Sequence, residues 1–123
     1  MNGFLAYVAE MSESDKRQLL SLIHNLLSHR LKLKYVGGRN INHWNTEIRE
    51  FEERLFGLIV DDSPGLKSHL IDLNQVYTRL VRIRPFVGEV RKAYPKAKFP
   101  NDCPFTLEHV VGQRVWNEMK KRS

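Results

Sequence analysis

The residues able to do chemistry in this sequence are five histidines, one cysteine, a run of acids and a basic stretch. His24, His29, His43, His69 and His109 are the candidate metal ligands. A helix offers two ligands to one ion at i and i+3 or i+4. His24 and His29 are five apart and no His-Glu-x-x-His run occurs, so the spacing predicts ordinary surface or core-edge histidines and no metal site. Cys103 beside a histidine would make a nucleophile pair. Pro100 and Pro104 flank it, and a helix opening at Thr106 would lower a nearby thiol pKa. The competing reading is a small buried hydrophobe that pins a connector to the core. It is preferred, because no base or oxyanion site is identifiable.

Residues 79–98 are the most suggestive stretch: Arg79, Arg82, Arg84, Arg91, Lys92, Lys96 and Lys98 stand against Glu89 alone. With Phe86 and Tyr94 interleaved, they are candidates to meet phosphates and stack on bases. No helix-turn-helix pattern accompanies them. The preferred alternative pairs these arginines with the acids of residues 45–62, where Glu47, Glu50, Glu52, Glu53, Asp61 and Asp62 face only Arg49 and Arg54. Glu50 and Arg54, at i and i+4, read as a stabilising helix pair. Gly37-Gly38-Arg39 is too short to cradle a phosphate and reads as a helix stop. The formal net charge of +6 leans toward an acidic partner.

Helices must position all of these. Phe4 to Met11 suggests a short first helix. Ser12 caps a second, with Leu19, Leu20, Ile23, Leu26, Leu27 and Leu31 on one face, ending before Gly37-Gly38. A third begins near Asn40 or Asn42, and Ile41, Trp44, Ile48, Phe51, Leu55 and Leu58 form its seam. Ser63 and Pro64 start a fourth, with Leu66, Leu70, Leu73, Tyr77 and Leu80 buried, and Pro85 kinks or breaks it. Residues 95–105 hold three prolines and read as an extended connector. Thr106 caps a last helix that buries Val111, Val115, Trp116 and Met119, with Phe105 and Val110 at staple positions. No stretch alternates with period two, so no sheet is expected.

The segment Phe99-Pro100-Asn101-Asp102-Cys103-Pro104-Phe105-Thr106-Leu107-Glu108 resembles the "FPEECPYTLEQ" signature of domain of unknown function family 29, a bacterial family. Ser12 to Tyr35 is similar to that family's "SEKRALESHLRVLLMHLLKWQY", and Trp44 to Leu66 to its "W…TIREQR…I…LLEDSPSL". The resemblance runs from about residue 9 to 116. The chain departs from the family at a shorter N-terminal stretch, at Pro85, and at His109, which stands where the family has Gln. The resemblance implies an all-helical fold and carries no activity with it.

The expected fold is one all-α domain over residues 1–123, an antiparallel bundle of four or five helices with the Pro-rich connector before the last. One cysteine, no apolar run of membrane length and no basic, cleavable leader point to the cytoplasm. The expected function is a non-enzymatic binding or regulatory module acting through protein–protein contact, with another protein or a second copy as partner. The alternative is a nucleic-acid accessory protein using residues 79–98 with Lys120, Lys121 and Arg122, and an enzyme built on Cys103 ranks last. No cofactor, metal or membrane partner is expected; Cys103, Pro104, Phe105 and Thr106 are expected to form a structural motif.

Overall fold

The computed structural model describes residues 13–62, 72–82 and 98–121, with positions 86, 90 and 92. Among these residues the architecture is an all-α bundle without strands. Two long helices form its spine, α1 (Glu13–Tyr35) and α2 (Ile41–Asp62), joined through Gly37 and Gly38. Both glycines have positive φ, 67° and 94°, a conformation that side chains resist. Gly37 N–H and Val36 N–H both donate to the Lys32 carbonyl and close the end of α1. The turn folds α2 back along α1, and the interface between the two is the most extensive among the described helices.

The α1 face that is buried differs by one residue from the predicted stripe. Leu22 is buried in place of Leu20, which is 40% exposed. On α2, Trp44, Ile48, Leu55 and Leu58 are buried as the seam requires, and Ile59 joins them. Phe51 packs on the margin of this core. Ile41, the first residue of the helix, is 40% exposed because no helix turn precedes it to shelter its side chain.

The fourth predicted helix does not run unbroken from Ser63 to Leu80. Asp72 leaves helical geometry (φ −86°, ψ 86°), and its Oδ1 accepts a hydrogen bond from Gln75 N–H at 3.1 Å. A new helix, α3 (Leu73–Leu80), starts there and buries Leu73, Tyr77 and Leu80. The Asp72-x-x-Gln75 spacing is a capping signal that the apolar repeat obscures. The helix ends at Leu80, before Pro85, with Val81 N–H bonded to Tyr77 O at 3.1 Å. Phe4 to Met11, Ser12, Ser63, Pro64, Leu66, Leu70, Pro85 and Tyr94, for which the sequence carries expectations, lie outside the described residues.

Residues 98–106 are irregular, in agreement with the expected connector. Thr106 then caps as expected, its Oγ1 accepting from His109 N–H at 3.2 Å. The last helix is not continuous, however. Gly112, at φ 88° and ψ 157°, divides it into α4 (Leu107–Val111) and α5 (Gln113–Lys121). Val110, Val111, Val115 and Met119 are buried, whereas Trp116 is only half-buried, with the Lys120 ammonium 5.9 Å from its ring centre. α3 and α4 pack on α1, and α5 packs on α2.

Trp44 of α2 is 5% exposed, and the Lys32 ammonium of α1 lies 5.9 Å from its ring centre. Replacing Trp44 with Ala should lower the unfolding free energy by about 3–5 kcal/mol, read from the urea midpoint of a circular-dichroism melt. A loss below about 1 kcal/mol would place the indole outside the core.

Candidate functional site

Polar side chains between the helices form two clusters, and both are ties. In the first, Arg30 of α1 donates through Nη2 to Glu52 Oε2 of α2 at 2.8 Å, and through Nε to the Val110 carbonyl at 3.2 Å. That carbonyl lies at the end of α4, where no further helical turn supplies a donor. Glu52 Oε2 in turn lies against Gly112. A Cβ on that glycine would stand 1.9 Å from the carboxylate oxygen. Gly112 is therefore required twice, for its backbone angles and for the approach of Glu52. Two clefts flank the tie. One of about 570 Å³ is lined by Arg30, Glu52, Thr106, Glu108, His109 and Gln113. The other, of about 350 Å³, is lined by Arg49, Glu53, Val111, Arg114 and Val115.

In the second cluster Glu47 of α2 accepts from His29 Nε2 of α1 through one oxygen and lies 2.9 Å from His43 Nε2 through the other. His29 Nδ1 faces the Asn25 carbonyl at 2.7 Å. Among the described residues no group of three histidine, cysteine or acidic side chains has a geometry that could hold a metal ion.

The connector is fixed to α3 at two points. Tyr77 O–H donates to the Pro100 carbonyl, and Asn74 Oδ1 accepts from Cys103 N–H at 2.8 Å. Burial pushes the Tyr77 phenol up to about 12, with smaller contributions from Tyr35, Cys103 and Asp102. Cys103 is half-buried, and its Sγ donates to the Phe105 carbonyl at 3.6 Å. Burial raises its thiol above the ordinary range, against a smaller downward pull from the Phe105 backbone. Among the described residues no histidine hydrogen-bonds to it, and an elevated thiol is a poor nucleophile. Pro104 and Phe105 are half-buried beside it. Phe105 stacks on His109 at 4.7 Å and 10° between planes.

The preferred pairing of basic residues 79–98 with the acids of α2 is not what the described residues do. Glu47 is taken by His29 and His43, Glu52 by Arg30, and Glu53 by Arg114 of α5. Arg54 lies 5.9 Å from the Phe51 ring centre and makes no ion pair with Glu50. Arg79 and Arg82 at the end of α3, Lys92, and Lys98 at the start of the connector are all exposed. So are Lys120 and Lys121, the latter 3.5 Å from Glu118. Arg84, Arg91, Lys96 and Arg122 lie outside the described residues. Phe86 is 4% exposed and packs at 5.4 Å from the Phe99 ring, so it is not a stacking platform for bases. Arg30, Glu52 and Gly112 carry no sequence motif. Their one visible signal is a glycine inside an otherwise helical period.

Two outcomes follow from this geometry. Gly112→Ala should destabilise the protein by about 2 kcal/mol or more, since the new methyl meets both a forbidden backbone region and the Glu52 carboxylate. A neutral result in a urea melt would show that neither constraint holds. The second outcome concerns pH. His24 is shifted down by burial, and His109 by burial and then by the charges of Arg30 and Lys34. The unfolded rings take up protons first, near about pH 6.5, so stability is complete above that range and declines as pH falls through it. His24→Gln/His109→Gln should flatten the decline in urea midpoint between about pH 7.5 and 5; an unchanged slope would contradict the assignment.

No curated protein and no solved structure matches the chain. The family model described as domain of unknown function DUF29 matches residues 4–116, and with most of its length so covered the chain belongs to that family.

Proposed function

We propose that the protein is a non-enzymatic helical module that works by binding another protein. The observation that carries this reading is the disposition of charge. Glu47, Glu52 and Glu53 of α2 are held by partners on α1, α2 and α5, while Arg79, Arg82, Lys92 and Lys98 stay exposed with no ion pair among the described residues. Exposed cations without internal partners favour an acidic partner and speed its encounter. The elevated Cys103 thiol weighs against a cysteine nucleophile. A single cysteine fits a reducing, cytoplasmic setting.

The same cations support a second reading, binding of nucleic acid, since phosphate neutralisation needs only basic side chains. The burial of Phe86 weighs against it, because sequence-tolerant single-strand binding leans on exposed aromatic faces.

Binding of poly-L-glutamate and of poly-deoxythymidylate, followed by fluorescence anisotropy across a salt series, tests the two. The expected result is measurable binding of polyglutamate at low salt, tighter than that of the oligonucleotide and weakening as salt rises. Tighter binding of the oligonucleotide would replace the first reading with the second. No binding of either at low salt would remove both.

A further inference from the structure

Two hydrogen bonds set the course of the connector relative to α3. Cys103 N–H is bound by Asn74, and three residues earlier the Pro100 carbonyl is bound by Tyr77, three residues later on the helix. The connector therefore runs antiparallel to α3. Continued by two residues, that course brings Lys98 alongside the C-terminal end of α3, where Arg79 occupies the last turn and Arg82 the turn beyond it. Phe99, which follows Lys98, is anchored edge-on against Tyr35 and packed on Phe86, both at 5.4 Å. The backbone that carries Lys98 is thus held in place. All three cations are exposed. Among the described residues, the acids of this region, Asp72 and Asp102, lie at the opposite end, beside the N-terminus of α3 and Cys103. The helix dipole favours the same polarity but is too weak to neutralise three cations.

We propose that Arg79, Arg82 and Lys98 form one anion-receiving face, and that its occupant is an acidic segment of another protein. This rests on the binding reading above. Charge complementarity selects the occupant. Phe86, an aromatic of the basic stretch, is buried and offers no stacking face to a nucleic-acid strand. In a second copy of the chain, Glu52 and Glu53 are already held by Arg30 and Arg114 of that copy. The connector ties act as positioning elements: Tyr77 and Asn74 place Lys98 without touching the partner.

The test compares Arg79→Gln/Arg82→Gln/Lys98→Gln with Arg49→Gln/Lys120→Gln/Lys121→Gln, which removes the same charge from the α2–α5 side. Affinity for poly-L-glutamate is measured at low salt, and the urea midpoint of each variant confirms folding. The face variant should lose about tenfold or more, and the control about twofold or less. Lys98→Glu alone should weaken binding more than Lys98→Gln, which keeps the proposal testable if the triple variant is poorly folded. Equal losses in the two triple variants would overturn the face while leaving wild-type binding, and with it the module reading, intact. Failure of the wild type to bind would remove the reading itself. Sedimentation showing self-association abolished by the face variant, or a larger loss for poly-deoxythymidylate than for polyglutamate, would also overturn the proposal by naming a different occupant.

Discussion

Arg30 is the point at which three helices are fixed to one another. Its guanidinium leaves α1, meets the Glu52 carboxylate of α2 and takes the Val110 carbonyl in the last turn of α4. A planar fork with several fixed donors can serve two acceptors at once, which an ammonium on a flexible stem does less well. The arrangement closes only because Gly112 has no side chain where Glu52 lies. The same glycine turns the chain so that α5 can leave α4 and pack on α2. Removing the methylene-free gap at Gly112 would displace the carboxylate, and with it the partner of a partly buried guanidinium.

The pairing of α1 with α2 supplies the apolar surface on which everything else rests. Leu19, Ile23, Leu26, Leu27 and Leu31 join Ile48, Leu55, Leu58 and Ile59 within one core. Hydrophobic contact is non-directional, so it leaves the sliding register of two long helices weakly specified. His29–Glu47 and Arg30–Glu52 supply that register, since each pair meets only when the helices are correctly aligned.

This use of acids has a consequence for the outer surface. Arg30 of α1 and Arg114 of α5 take Glu52 and Glu53 of α2, and the exposed Arg79, Arg82 and Lys98 have no ion pair among the described residues. The connector is rigid there for reasons internal to the fold: two hydrogen bonds to α3 and a three-ring contact among Tyr35, Phe99 and Phe86. A held backbone that carries an exposed charge loses little conformational entropy when a partner arrives.

Local signals were enough to read the helices, because caps, glycines and the apolar period act within a few residues. Thr106 capped where its hydroxyl reaches His109 N–H, Gly37-Gly38 stopped α1, and the seam from Trp44 to Leu58 was buried. Asp72 and Gly112 carried equally local signals, a cap spacing and a glycine, but the apolar repeat ran across both and masked the breaks. Charge partners were not legible. Glu50 and Arg54 had favourable helical spacing, yet Arg54 sits on Phe51, and Glu53 found Arg114 from 61 residues away. Ion pairing depends on which helices lie side by side, and sequence separation says nothing about that. The sequence alone determined that this chain is a bundle of helices with a particular set of caps and a basic surplus. Only the tertiary structure decided which acids would be spent on holding the bundle together, and so which cations remained on its surface.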